Sequence, residues 1–236
     1  MVTTRVVPLR RQVSNAFLLL GERPVLVDAG APGDTEPLLG QLRGHGVAPE
    51  ELALLVLTHG HADHAGAAAT LAAAGVPIAI GAGDAHLLES GVIGELPVTG
   101  PAGALLRPVI RRMRATPASA QIPVSRPLRL DAYGVAATMV PVGGHTSGSS
   151  VVLLDGGDAV VGDLLRAGFG LGRILPGHPL RHYFAEDPDG VRQGLDLVLR
   201  HDPPLLHIAH GGPSVPADAV RRRLDRVAPP TRNRRA

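Results

Sequence analysis

A continuous apolar run followed at once by a cluster of polar side chains constrains this chain more than any other feature. The run "LALLVLT", residues 52–58, has no polar/apolar alternation, which is typical of a strand buried on both faces. Directly after it, "HGHADH" places His59, His61, Asp63 and His64 within six positions. Because such a strand needs cover on both sides, the segment predicts a layered α/β domain with polar side chains gathered beyond one strand end.

The surrounding segments repeat this strand and helix pattern. "NAFLLLG" and "PVLVDAG" predict a hairpin-like pair of strands, and "DTEPLLGQLRGHG" predicts a helix from its Asp/Thr start and Gly stop. "HAGAAATLAAAGV" predicts a second helix, and "VPIAIGAGDAHLLES" predicts a strand with a short helix. Later strands are expected at "GVAATMVPV", "SSVVLLD", "DAVVGDLL" and "PLLHIAH", and later helices at "DPDGVRQGLDLVLRH" and "PADAVRRRLDRV". No linker divides the chain, so we expect a single domain over residues 1–236 with a frayed tail from about residue 228.

Residues 91–130 depart from this pattern. The segment is rich in Pro, Gly and Arg and is too long for a simple connection. It predicts a cap-like insertion over the polar cluster that supplies no core strand, with Ile93, Leu96 and Ile110 as apolar contacts for a substrate.

Composition limits the classes of protein that remain. The chain has no Cys, which excludes disulfides, thiolate metal sites and a cysteine nucleophile, and a reducing cytoplasm is the expected compartment. No apolar stretch reaches the ~18 residues needed to span a bilayer. All 23 basic residues are Arg, yet the net charge of +2 is too small to indicate a nucleic-acid partner. We therefore expect a small-molecule substrate, no nucleic-acid or membrane partner, and a possible homo-oligomer.

Three explanations for the polar cluster can be compared by spacing: a metal site, a proton relay or a polar loop that happens to contain histidines. His59 and His61 lie two positions apart, so an extended backbone points both to one side. A proton relay needs one or two histidines rather than four adjacent titratable groups. Neutral imidazoles with a carboxylate suit zinc or iron, and a metal site is the favoured interpretation.

The motif "THGHADHAG" is similar to the HxHxDH signature of the metallo-β-lactamase-fold superfamily. "PVLVDAG" resembles the family strand that ends in Asp-x-Gly, which places Asp28 beneath the metal site. "GGHTSGS" and "VVGDLL" resemble two further family turns and place His145 and Asp163. "HIAHGGP" places His210, although Ile-Ala stands where Pro-Gly is usual and His207 is a rival ligand on the same strand.

This resemblance implies a four-layer αββα sandwich of two mixed β-sheets flanked by helices, in the glyoxalase II-like or lactonase-like branch. It also implies two metal ions. One is expected on His59, His61 and His145, the other on Asp63, His64 and His210, with Asp163 bridging both. The family nucleophile is a hydroxide bound between the metals, and Asp63 is the expected catalytic residue that accepts its proton.

The resemblance further predicts the reaction class. Histidine at the second motif position favours two Zn²⁺ ions over the diiron flavoproteins of the family, which carry Glu there. No segment resembles the glutathione-binding helical domain of glyoxalase II or the tRNA-binding arm of ribonuclease Z. We therefore expect a hydrolase of a small-molecule ester, thioester or lactone.

Two other classes stay open. Persulfide dioxygenases have similar motifs but hold one Fe²⁺, for which His59, His145 and Asp163 are the matching residues. A metal-free binding protein on the same scaffold is the other alternative. A minor hypothesis concerns "PGHPLRHYF", which is expected to be a loop from which His182 or Tyr183 lines a substrate pocket.

Overall fold

Two stacked β-sheets form the centre of the structure, a computed structural model that describes residues 4–170 and 172–230. The strands of the first sheet are β1 (Arg5–Leu9), β2 (Ala16–Leu20), β3 (Val25–Val27), β4 (Leu54–Leu57), β5 (Ile78–Gly81) and β6 (Ile122–Val124). They lie side by side in chain order, antiparallel from β1 to β3 and parallel from β3 to β6.

The later strands build the second sheet and a separate hairpin. These strands are β7 (Leu128–Arg129), β8 (Ala137–Pro141), β9 (Ser150–Leu154), β10 (Ala159–Val160), β11 (Arg166–Phe169), β12 (Ile174–Leu180), β13 (Leu205–His207) and β14 (Ser214–Pro216). The second sheet has the order β14-β13-β10-β9-β8-β7, and only β10 and β13 pair in parallel. The hairpin consists of β11 and β12.

Helices cover the outer faces of both sheets. They are α1 (Thr35–Gly44), α2 (Ala68–Ala73), α3 (Ala85–Ser90), α4 (Pro101–Ile110), α5 (Pro188–Arg200), α6 (Ala217–Arg221) and α7 (Leu224–Val227). The predicted fold class, two mixed sheets flanked by helices, is confirmed. No helix in the described parts of the chain is both long enough and apolar enough to cross a bilayer.

Strand β4 shows why its sequence has no polar/apolar alternation. Leu54 and Val56 pack in the apolar core between the sheets, whereas Leu55 and Leu57 pack on the opposite face in the core shared with α1 and α2. Both faces are therefore buried, and each fully buried side chain stabilises the fold by about 1.5–3 kcal/mol. A third core joins the second sheet to α5, α6 and α7.

Several sequence-based expectations are wrong. Residues 91–130 do supply strands, since β6 and β7 form an edge of each sheet. Both are short, and Pro123 lies in β6, where an edge position tolerates the missing N–H. The expected loop before His182 is largely β12, and the last predicted helix is divided into α6 and α7.

The first residue of the expected frayed tail, Ala228, belongs to the packed structure. Ala228 is buried, and its N–H donates to the Leu224 carbonyl oxygen. The remainder of the predicted tail, residues 231–236, lies outside the described residues. The single-domain organisation stays a prediction.

Candidate metal centre

Six histidines and two aspartates converge, among the residues described, beyond the strand ends of the two sheets. They are His59, His61, Asp63 and His64 after β4, His145 between β8 and β9, Asp163 after β10, His182 after β12 and His210 after β13. All seven residues predicted from the motifs as metal ligands belong to this cluster, and His182 is an addition.

The first group consists of His59, His61 and His145, which are all buried. The ring nitrogens they offer lie within 4.8 Å of one another, and His145 Nε2 is 3.1 Å from His61 Nδ1. Burial lowers the pKa of all three rings, that of His61 to about 3. The rings are therefore neutral near pH 7 and have lone pairs available for a cation.

The second group consists of Asp63, His64 and His210. His210 Nε2 lies 3.3 Å from Asp63 Oδ2 and 3.4 Å from His64 Nε2. Burial is the largest influence on both rings and opposes their charge, but the surrounding carboxylates, Asp163 foremost, together outweigh it and raise the pKa of His210 to about 10 and that of His64 well above its ordinary value. Burial likewise opposes ionisation of Asp63, yet its hydrogen bond with His210 holds the pKa of this carboxyl below its usual range. Without a metal, the second group thus contains a negatively charged carboxylate on Asp63 and positively charged rings on His64 and His210.

Asp163 lies between the two groups. Its Oδ2 is 3.3 Å from His145 Nε2 and 3.2 Å from His210 Nε2, while its Oδ1 is 3.4 Å from His64 Nε2. This side chain is 2% exposed, and only a carboxylate has two oxygens to share between neighbouring cations. The position is the one expected of a bridging ligand.

Unpartnered buried atoms test whether the cluster fits metal ions. His59 Nε2, His61 Nε2 and Asp163 Oδ1 are buried without a hydrogen-bond partner. Leaving such an atom unpaired costs roughly 1–3 kcal/mol, and more for a charged group. Imidazole nitrogens with carboxylate oxygens are donors that zinc and iron accept. The residues therefore fit one or two divalent cations.

The outward-facing ring nitrogens fix how the histidines are oriented. His145 Nδ1 is 2.9 Å from the Phe184 carbonyl oxygen, and His210 Nδ1 is 2.8 Å from that of Val13. A ring whose Nδ1–H donates to a carbonyl presents the Nε2 lone pair to the cluster. These contacts favour the arrangement in which Nδ1 carries a proton and Nε2 is the atom that would bind a metal.

Asp28 lies beneath the cluster, where the family resemblance predicted it. Its Oδ2 is 2.9 Å from His64 Nδ1, and its carboxylate accepts hydrogen bonds from the backbone N–H and hydroxyl of Thr58. Asp28 has a φ of +59°, a left-handed conformation that Asp adopts more readily than most residues. The strand end is thereby bent so that this carboxylate holds the His64 ring.

Asp84 is a positioning residue that the sequence analysis missed. Its buried carboxylate accepts hydrogen bonds from the Gly60 N–H at 2.9 Å, the Thr146 hydroxyl at 2.6 Å and the Gly148 N–H at 2.8 Å. Gly60 separates the first two motif histidines, and Thr146 follows His145. Asp84 therefore ties together the two loops of the first group. In sequence it directly precedes α3, where Asp is common simply as a helix cap.

His182 and Tyr183 both line the cavity, in keeping with the minor hypothesis, but the place of His182 among the candidate ligands was not predicted. Its Nε2 lies 3.2 Å from Asp163 Oδ2, and it forms a further possible ligand group with His145 and Asp163. Burial lowers the pKa of His182 to about 3. The rival ligand His207 lies elsewhere, with its Nε2 2.9 Å from Asp158 Oδ2.

A cavity of about 170 Å³ opens onto the cluster. Its polar wall includes Asp63, Asp163 and His210. Its apolar wall comes from the segment predicted to form a cap, through Ile93, Leu96, Leu106, Ile110 and Met113. Arg166 and Tyr183 line another side, with the guanidinium carbon 4.1 Å from the ring centroid. The arrangement can hold an apolar group beside a cation site.

Comparison with known proteins agrees with this geometry. A family model described as the Metallo-beta-lactamase superfamily matches residues 9–210. The chain is 58% identical over 43 residues to Metallo-beta-lactamase domain-containing protein 1 of Homo sapiens, covering 18% of this chain and 16% of that protein. For the Xenopus laevis protein of the same name, the identity is 43% over 49 residues, covering 21% of each. These matches span only about a fifth or less of either relative's length.

Solved structures resemble the chain over most of its length. TTHA1623 in a di-iron-bound form has a TM-score of 0.61 at 24% identity, covering 92% of this chain and 97% of that one. The metallo-beta-lactamase family protein TTHA1429 of Thermus thermophilus has a TM-score of 0.65 at 20% identity, covering 94% and 77%. At these identities the likeness shows the fold alone.

Proposed function

We propose, from the premise that this chain belongs to the metallo-β-lactamase superfamily, that it is a metal-dependent hydrolase of a small-molecule ester, thioester or lactone. One observation carries the proposal. A buried set of histidines and aspartates with unpartnered atoms forms the polar wall of a cavity whose other wall is apolar. Such a cavity would accommodate an acyl group next to bound metal ions.

The residues divide into two ligand sets with one shared member. The first metal would be held by His59, His61 and His145, the second by Asp63, His64 and His210, and Asp163 would serve both. We assign zinc to both positions because zinc accepts imidazole and carboxylate donors and because His61, rather than a glutamate, occupies the second motif position. When bound, the two ions supply a Lewis acid for the carbonyl oxygen and lower the pKa of the attacking water.

The proton of the attacking water has a defined acceptor. Asp63 lines the cavity and is kept ionised by its hydrogen bond with His210. Asp63 Oδ2 accepts this proton as the water oxygen bonds to the acyl carbon. The bond from that carbon to oxygen or sulfur then breaks, and the leaving group takes up the proton that Asp63 had accepted, which returns Asp63 to its ionised form. The products are a carboxylic acid and an alcohol or thiol, and a lactone yields both in one molecule.

A second function uses the same residues. Asp163 Oδ2 lies 3.3 Å from His145 Nε2 and 3.7 Å from His59 Nε2, so these three side chains could also hold a single Fe²⁺. That arrangement favours an oxidoreductase similar to persulfide dioxygenases. The solved structure of TTHA1623 in a di-iron-bound form gives a further reason to measure iron.

The test is metal analysis of protein purified without added metal, followed by assays of the zinc-loaded and iron-loaded forms. We expect two zinc ions per chain, hydrolysis of a thioester or lactone, loss of that activity with a chelator and recovery with zinc. Asp63→Asn should retain its fold and lose hydrolysis. One iron ion with oxygen consumption on a persulfide would support the second function, and no bound metal would contradict both.

A further inference from the structure

Two segments that border the cavity are strongly basic. Residues 97–120 contain four arginines and residues 164–183 contain three, and neither segment contains Asp or Glu. The whole chain is nearly balanced, with 23 basic and 21 acidic residues. We call these two segments the cationic rim, since each contributes lining residues to the cavity. The small net charge of the molecule therefore hides a local excess at the entrance.

The arginines of the cationic rim lack acidic partners. They are Arg107, Arg111, Arg112, Arg114, Arg166, Arg173 and Arg181, and none forms an ion pair with a carboxylate in the described parts of the chain. Among the described arginines only Arg129, Arg192 and Arg221 pair with aspartates, so the cationic rim is set apart by the absence of Asp and Glu from its two segments. A guanidinium is always charged, so the field of the rim is not neutralised locally.

The exposed apolar side chains lie in the same place. Within the described residues, the exposed large apolar side chains are Val13, Val98, Leu105, Val109, Phe169, Ile174 and Leu175. Val13 lines the cavity, and the other six belong to the cationic rim. Leu105 is 80% exposed and Ile174 61% exposed. Exposed apolar side chains confined to the cavity wall and to the two segments of the cationic rim favour a binding surface over scattered surface residues.

Exposed apolar side chains together with unpaired arginines indicate which class of molecule binds at the cationic rim. A second copy of this chain would bring unpaired arginines against arginines, which is unfavourable. Single-stranded nucleic acid is bound by stacking on aromatic rings, and among the described residues of the cationic rim only Phe169, at 44% exposure, is an exposed aromatic residue. A molecule with an apolar chain and a negative charge matches both the apolar surface and the arginines.

We propose that the substrate is an anionic amphiphile, an acyl ester or thioester whose apolar acyl chain occupies the cavity and whose negatively charged group lies on the cationic rim. This inference rests on the proposed hydrolase function. The apolar wall formed by Ile93, Leu96, Leu106, Ile110 and Met113 receives the acyl chain, which leaves the carbonyl beside the histidine cluster. The charged leaving part then extends toward the arginines at the entrance.

Hydrolysis of two isosteric thioesters tests the proposal. S-octanoyl-3-mercaptopropionate carries a carboxylate, and S-octanoyl-3-mercaptopropionamide carries an uncharged amide in its place. For the zinc-loaded enzyme, we expect kcat/KM to favour the anionic thioester. The variant R107Q/R111Q should reduce this preference roughly 3- to 30-fold, the range expected when two exposed charge contacts are lost.

The control variant is R43Q/R222Q, which removes two exposed arginines outside the rim that lack ion pairs in the described structure. It should keep the wild-type preference, and both variants should bind as much zinc as wild type. Added sodium chloride should reduce the preference of the wild type, because exposed charges are screened. A preference that R107Q/R111Q does not reduce would overturn the assignment to the rim.

A binding measurement separates failure of this inference from failure of the proposed function. Calorimetry with octyl sulfate and the uncharged octyl glucoside should show preference for the sulfate, weakened in R107Q/R111Q. Rim-dependent sulfate binding without hydrolysis of either thioester would contradict the hydrolase alone. Equal hydrolysis of both thioesters would contradict the proposal of an anionic substrate and leave the proposed hydrolase function intact. Tight binding to phosphatidylglycerol vesicles with no preference among the thioesters would overturn the proposal in favour of a membrane surface.

Discussion

At the scale of single residues, His61 is the side chain that best separates ligation from folding. It is 3% exposed, and its Nδ1 faces His145 rather than a carbonyl or carboxylate. His61→Ala removes one of three ligands of the first group, so we expect lower metal content and at least about a 100-fold loss of hydrolysis. Metal analysis and kinetics on the same preparation provide the measurement.

The matched control is His45→Ala, because His45 is exposed at the end of α1 and remote from the cluster. It should keep both metal content and activity. An equal loss in the two variants would mean that general stability, not ligation, is being measured.

Asp84 contacts the loops that carry the candidate ligands rather than the ligand side chains themselves. Asp84→Ala would leave the Gly60 N–H, the Thr146 hydroxyl and the Gly148 N–H without their acceptor, at a cost of roughly 1–3 kcal/mol for each group left unpaired. We expect weaker zinc binding and a lower Tm, with partial recovery of the Tm in excess zinc. Asp84→Asn keeps an acceptor oxygen and should lie between Ala and wild type. Unchanged zinc affinity in Asp84→Ala would remove the positioning role.

At the scale of elements, long and buried strands and helices could be predicted from the sequence, whereas short edge strands could not. The strands β2 to β5 and the helix α1 could be predicted because their apolar runs or caps are local signals. The edge strands β6 and β7 could not, since three and two residues carry no periodicity. β12 contains Pro176 and Pro179, and prolines in a sequence argue against a strand. The position of His182 beside Asp163, which follows from that strand, could therefore not be predicted.

Helix α4 should be separable from the metal centre. It lies outside both sheets, Gly103 is its only buried residue, and it carries Leu106 and Ile110 into the cavity wall. Replacing residues 101–112 with a glycine–serine segment of equal length should preserve bound metal and broaden the range of acyl groups cleaved. Metal analysis with a panel of acyl chain lengths checks this. Loss of metal, or an unaltered substrate profile, would show that α4 is structural.

At the scale of the whole molecule, the proton balance of the cluster depends on the metal. Without metal, the carboxylate of Asp163 raises the pKa of His210 to about 10, despite burial, and raises that of His64 too. These raised pKa values stabilise the metal-free fold fully below pH 6.5, and this stabilisation is lost as the pH rises toward 10. His61, with a pKa of about 3, is already neutral above pH 6.5 and does not contribute to this change in stability.

Metal and protons must therefore compete for the second group. A ring that binds a metal through Nε2 loses the proton from that atom, so metal binding at pH 7.5 should release protons from His64 and His210. As the pH rises, the apparent Kd for zinc should fall by up to about tenfold per pH unit for each proton that zinc displaces. Calorimetry in two buffers with different ionisation enthalpies measures the release, and His210→Ala should reduce it. The Tm of metal-free protein should fall from pH 6.5 to 10, while that of the zinc-loaded protein changes less. Zinc binding without proton release would show that the second group does not ligate through its charged rings.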